Sequence, residues 1–222
     1  METLKQHETF ELEVLDGLKN ARFLDSLVFG GGTMLRLCHE LPRFSVDLDF
    51  WFSKKTDTEA FYKKLLDFLA SRYRMTDAKN KHYTLLYEIK DPRFERKLKI
   101  EIRKEIVKTG VESKIAYSSG AVKQVLVNVL TLEESAKRKL LAMRARNEIR
   151  DFFDFEFLLR RGVLLLIGKS QKDDLLKKIS AFKKTDYSVT LGALLEKELR
   201  DHYVRSGFSY LLEALAVESR SL

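Results

Sequence analysis

An α+β half followed by a helical half is the fold class this sequence predicts. Up to about residue 130, stretches with helical spacing of apolar residues alternate with stretches of period two. From Thr131 onward the spacing is helical throughout, and Thr131-Leu-Glu-Glu134 has the form of a capping box. No repeat and no Pro-, Gly- or Ser-rich linker separates the halves. We therefore expect an α+β domain over residues 1–130. A helical domain over 131–222 packs against it around one cleft.

The elements follow in order. Residues 8–27 carry Phe10, Val14, Leu15, Leu18, Phe23 and Leu24 at helical spacing. Leu27-Val28-Phe29 is a short strand that runs into Gly30-Gly31-Gly32. Thr33 to Glu40 is a short helix, stopped by Leu41-Pro42. Val46 to Phe52 alternates apolar and acidic residues, which predicts a strand. Thr58 to Tyr73 is helical, with Phe61, Leu65, Leu66, Phe68 and Leu69 facing inward. His82 to Ile89, Lys97 to Ile106 and Val122 to Val129 read as strands.

Composition excludes several classes. With 45% apolar residues, 15 Phe and 8 Tyr in 222 residues, the chain has enough to fold around a core. Its one cysteine, Cys38, excludes a disulfide framework and a cysteine zinc cluster. His7, His39, His82 and His202 lack ligand spacing, so zinc is not expected. No apolar run approaches the ~20 residues of a membrane span, and Met1-Glu-Thr-Leu-Lys does not open a signal peptide. The cytosol is the expected compartment. A formal net charge of +8 favours a nucleotide or nucleic-acid partner.

Three features carry chemistry. The first is Gly31-Gly32-Thr33 between a strand and a helix. Glycines permit close backbone approach and positive φ, the free N–H groups of a helix start suit a phosphate, and Thr33 adds a donor. A plain tight turn has the same sequence. The second is Asp47-Leu48-Asp49. With period two, both carboxylates share a face while Leu48 and Phe50 point into a core. Like charges held so repel unless a cation joins them, and Mg²⁺ takes one or two carboxylates plus substrate phosphates. Two surface acids on a solvated strand are the alternative. The third is Lys97-Leu-Lys-Ile-Glu-Ile-Arg103, which puts Lys99, Glu101 and Arg103 on one face. Glu101 becomes a third carboxylate if this strand lies beside the aspartate strand. Otherwise it is an acid neutralised by basic neighbours.

Together the three features resemble the layout of a polymerase-β-like nucleotidyltransferase, with a mixed sheet and flanking helices followed by a helical bundle. The resemblance sharpens in Phe29-Gly-Gly-Gly-Thr-Met-Leu-Arg36 and Arg43-Phe-Ser-Val-Asp-Leu-Asp-Phe50, which are similar to motifs of the AbiEii/AbiGii nucleotidyltransferase toxin family. A downstream helical signature matches at Lys139, Arg146, Arg150-Asp151 and Asp154. The match spans residues 29–160, and Val46 stands where the family often has a polar residue.

The resemblance implies that Asp47, Asp49 and Glu101 hold Mg²⁺ or Mn²⁺. It assigns Gly31, Gly32, Thr33, Ser45, Arg146 and Arg150 to the NTP, and a catalytic role to Lys139 and Asp151. It also implies transfer of NMP from an NTP to an acceptor, with an RNA such as tRNA favoured, in a type IV toxin–antitoxin setting with a separately encoded antitoxin. A protein or small-molecule acceptor stays open, as does a non-catalytic nucleotide- or RNA-binding module on the same fold. On a continuous helix, Lys139, Met143, Arg146 and Arg150 would form one basic stripe, although Arg150 and Asp154 could also pair as i,i+4 neighbours on a solvated face. Phe152, Phe153, Phe155 and Phe157 read as core, and Cys38 as a small core residue. The tail from Lys169 to Leu222 either completes the bundle or offers a basic docking surface.

Overall fold

The computed structural model describes residues 2–164 and 167–217. It divides into two compact units, Met1–Thr131 and Leu132–Leu222.

The first unit opens with α1 (Glu2–Asn20), a 3-10 turn (Phe23–Ser26), β1 (Leu27–Gly30), α2 (Gly31–His39), β2 (Asp47–Phe52) and α3 (Thr58–Ala70). Five strands follow: β3 (Arg74–Asn80), β4 (Thr84–Lys90), β5 (Leu98–Ile106), β6 (Val111–Ala116) and β7 (Val125–Leu130). They make one seven-stranded mixed sheet in the order β3-β4-β5-β2-β1-β7-β6. The β2–β5 and β1–β7 pairs are parallel, and the others antiparallel.

Alternation in β2 does what the sequence predicts. Leu48, Phe50 and Phe52 are fully buried, while Asp47 and Asp49 on the other face stay partly open. Phe50 lies opposite Phe29 of β1, their rings 5.1 Å apart, and Phe52 meets Phe61 of α3 edge to face at 5.1 Å. Helix α3 starts cleanly because the Asp57 carboxylate accepts from the Glu59 and Ala60 amides, each at 3.1 Å.

Several expectations need correction. The first helix begins at Glu2 and closes at Asn20, and Arg22 turns left-handed (φ 64°) before the 3-10 turn. Two strands escape the period-two test, β3 and β6. These are the two edges of the sheet, where one-sided burial leaves polar runs such as Arg74-Met-Thr-Asp-Ala-Lys-Asn80. The last strand starts at Val125, and Val122 is fully exposed.

The second unit holds α4 (Leu132–Ala145), α5 (Ile149–Arg160), α6 (Lys169–Ser180), a π turn (Asp186–Leu191), a 3-10 turn (Gly192–Leu194), α7 (Lys197–Ser206) and α8 (Ser209–Val217). Phe152, Phe153, Phe155 and Phe157 are buried, as expected of core. The tail supplies core residues too, among them Leu175, Ile179, Tyr203, Phe208 and Leu211. Its last five residues lie outside the described residues. No continuous helix carries Lys139 through Arg150. The chain leaves helix after Ala145 and re-enters at Ile149, with Glu148 extended (φ −94°, ψ 114°). The basic stripe is therefore broken, and its Met143 is buried.

A buried carboxylate joins three helices of this unit. Glu156 of α5 accepts from the Tyr203 hydroxyl of α7 at 2.7 Å, the Leu211 amide of α8 at 3.1 Å and the Arg160 guanidinium at 3.1 Å. Hydrogen bonds to a buried charge are strong. Tyr203→Phe should lower unfolding free energy by about 1.5–3 kcal/mol. Urea denaturation would check this, and unchanged stability would show that the bond contributes nothing net.

Candidate active site

The site in the first unit is built by the turn after β1 and by one face of β2 and β5. Gly31 adopts φ +76°, a conformation that side chains resist. A Cβ there would lie 2.3 Å from Asp49 Oδ2. At Gly32 a Cβ would lie 2.4 Å from Arg43 Nη2 and 2.8 Å from Ser45 Oγ. The two sequence motifs thus close on each other, with the glycine turn lying against Arg43, Ser45 and Asp49. Thr33 is buried, and its hydroxyl donates to the Asp47 carbonyl at 2.6 Å. In this arrangement Thr33 ties the start of α2 to the aspartate strand.

The parallel register does the rest. Asp47 lies opposite Lys99, and Asp49 opposite Glu101. Period two puts all four on one face. Lys99 Nζ is 3.1 Å from Asp47 Oδ2. Burial works against the Lys99 ammonium, but the carboxylates of Asp47, Glu101 and Asp49 outweigh it and hold its pKa above the ordinary lysine value. Arg103 Nη2 is 3.9 Å from Glu101, and its guanidinium lies over the Trp51 ring.

Three carboxylates supply hard oxygen donors of the kind Mg²⁺ takes. Asp49 lies against the cradle that a Cβ at Gly31 would fill. As the side chains stand, no three His, Cys, Asp or Glu groups among the described residues converge on a metal position. Asp47 faces the Lys99 ammonium instead. The residues therefore fit a magnesium ion in donor type and register, with Lys99 as the competitor for one ligand.

Beside the start of β2 lies a buried polar pair. His7 donates from Nε2 to the Val46 carbonyl at 3.0 Å, and Glu11 Oε1 lies 3.6 Å from the same nitrogen. Burial, then Glu8 and Asp47, push the Glu11 carboxyl well above its ordinary range, and burial lowers His7. The sequence shows His7 only as a histidine without ligand spacing, and the signal for the pair is two polar residues at i,i+4 on the apolar face of α1. Burial also pushes the Cys38 thiol up to about 12, so it is no nucleophile.

The second unit gathers a different set. Lys139 Nζ pairs with Asp151 Oδ1 at 2.9 Å and Asp154 Oδ2 at 2.6 Å, and both carboxylates are fully buried. Arg146, in the break between α4 and α5, reaches Asp151 at 2.7 and 3.2 Å. Burial opposes the Asp151 charge, but Lys139 and Arg146 more than offset it and keep its pKa low. Arg150 stays outside this cluster: it is exposed, and it lies 3.9 Å from Glu148. Asp154, which could have paired with Arg150 on a solvated face, turns inward to Lys139 instead.

The family profile described as nucleotidyl transferase AbiEii toxin, type IV toxin–antitoxin system, matches residues 13–216. The chain belongs to the AbiEii family. It is a nucleotidyltransferase toxin of the type IV class, and membership implies an antitoxin partner. The family match runs beyond the 29–160 span of the recognisable motifs, through the tail. No curated protein matches the chain. Solved structures that share its fold include the following three. JHP933 from Helicobacter pylori is 20% identical with a TM-score of 0.54, covering 100% of this chain and 97% of that one. A putative nucleotidyltransferase from H. pylori is 21% identical at TM-score 0.55, covering 94% and 96%. MenT4, the nucleotidyltransferase toxin Rv2826c from Mycobacterium tuberculosis H37Rv, is 16% identical at TM-score 0.52, covering 92% and 85%. No helix among the described residues is long and apolar enough to cross a membrane.

A pH prediction follows from Glu11 in this AbiEii chain. Its folded pKa is raised, so its favourable contribution is complete below the ordinary carboxyl pKa of about 4.3 and is lost as pH rises through the folded value. Glu11→Gln removes that loss. The variant should match the native chain near pH 4 and become progressively more stable than it towards pH 8. Urea melts across that range would decide, and a constant difference at all pH values would mean the Glu11 pKa is not raised by folding.

Proposed function

We propose that this AbiEii protein transfers a nucleoside monophosphate from an NTP to an RNA acceptor, such as a tRNA, in a Mg²⁺-dependent reaction in the cytoplasm. The observation that supports it most is the register placing Asp49 opposite Glu101, beside Asp47 and against the glycine turn. When bound, Mg²⁺ would neutralise triphosphate charge and lower the barrier to attack at the α-phosphorus. Asp47, Asp49 and Glu101 would hold it.

The turn at Gly31-Gly32 presents the start of α2 to phosphate oxygens, with Ser45 beside it. The acceptor hydroxyl forms a bond to the α-phosphorus, the bond to the bridging oxygen breaks, and pyrophosphate leaves. Glu101 is our choice for the group that takes the hydroxyl proton. In the second unit, Asp151 holds the Lys139 and Arg146 cations in position. The +8 charge supports a polyanionic acceptor, since each phosphate neutralised releases counterions.

Incubating the purified protein with each α-labelled NTP, Mg²⁺ and a cell extract tests the reading. Label should enter the RNA fraction and should vanish with EDTA. Asp49→Asn should cut the rate by ~10²-fold or more while the protein stays folded. Label in protein or small molecules would overturn the RNA acceptor. Full activity of Asp49→Asn would overturn the metal assignment.

A further inference from the structure

Lys99 is a residue of the site face to which the proposed reaction gives no role. It sits on β5 directly opposite Asp47 and two residues before Glu101. Its ammonium takes the Asp47 carboxylate at 3.1 Å, and its side chain remains partly open to solvent. The face carries three carboxylates on neighbouring strand positions, and such a group is self-repelling without a cation. Arg103 stands 3.9 Å from Glu101, while Lys99 pairs with Asp47 at 3.1 Å.

A divalent ion cannot take Asp47 while the ammonium stays on it. The two cations compete for one carboxylate, and side by side they repel. Lysine has a flexible four-carbon stem and three donors, so it can leave Asp47 without any backbone movement. Once displaced it needs a new anion. The anion that arrives with the metal is the triphosphate, delivered against the glycine turn that touches Asp49.

We infer that Lys99 is a built-in counter-ion of the metal-free site that hands Asp47 to the divalent ion and moves onto the nucleotide triphosphate, so that metal and nucleotide bind together. The inference rests on the reading of Asp47, Asp49 and Glu101 as metal ligands. It makes the ion alone a weak ligand and the metal–triphosphate complex a strong one. A positive charge that favours phosphate and opposes free metal gives positive coupling between the two.

The test uses the full chain and needs no turnover. Binding of Mn²⁺ alone is measured by electron paramagnetic resonance, and binding of preformed Mg²⁺–triphosphate by calorimetry. The comparison covers the native chain, Lys99→Met, Lys99→Gln, Lys99→Arg and Asp49→Asn. Removing a unit charge beside the metal position should tighten Mn²⁺ binding about tenfold in Lys99→Met and Lys99→Gln, and weaken metal–triphosphate binding about tenfold. Lys99→Arg should follow the native chain in both measurements. Native Mn²⁺ affinity in both Lys99→Met and Lys99→Gln, with Asp49→Asn failing to bind, would overturn the role of Lys99 and leave the metal site standing. Equal Mn²⁺ binding by the native chain and Asp49→Asn would overturn the metal site and this inference with it.

Discussion

Parallel pairing of β2 with β5 is the constraint on which the candidate site depends. The aspartates share a face because strands alternate, but alternation alone leaves them as surface acids. The register brings Glu101 to Asp49 and Lys99 to Asp47. A shift by one residue would turn the partner side chains to the apolar face and dissolve the site. The opposite face secures that register, since Leu48, Phe50, Ile100 and Ile102 are all buried there. Core packing and site geometry are therefore two faces of the same pairing.

The glycine turn is fastened to the same strand by separate means. Thr33 donates to the Asp47 carbonyl, Gly31 leaves room for the Asp49 carboxylate, and His7 of α1 donates to the Val46 carbonyl. Three backbone or side-chain contacts thus fix where β2 begins. Their cost is a carboxyl group, Glu11, whose burial raises its pKa. In the second unit the logic is reversed. Asp151 and Asp154 are buried as partners of Lys139 and Arg146, where removing one member would strand a charge.

Much of the site was legible in the sequence because its signals are local. Gly31-Gly32-Thr33 and Asp47-Leu48-Asp49 are short motifs whose spacing alone implies a turn and a shared face. Glu101 was legible only in part: alternation gave its face, but its partner strand lies some fifty residues away and pairing leaves no local mark. For the same reason Lys99 read as a neighbour of Glu101, whereas it pairs across the sheet with Asp47. The basic stripe failed because Arg146-Asn147-Glu148 contains neither proline nor glycine, so helical spacing runs on through a real break. The edge strands β3 and β6 were missed because backbone pairing, not an apolar face, holds them.

The central claim is that the face of β2 and β5 binds a divalent ion through Asp47, Asp49 and Glu101. Crystals grown with Mn²⁺ and measured for anomalous scattering test it most directly. The account predicts a peak within a typical divalent-metal coordination distance of about 2–2.2 Å of carboxylate oxygens from this set, with Lys99 Nζ moved off Asp47. A peak elsewhere in the chain, with the Lys99–Asp47 pair intact at saturating Mn²⁺, would contradict it.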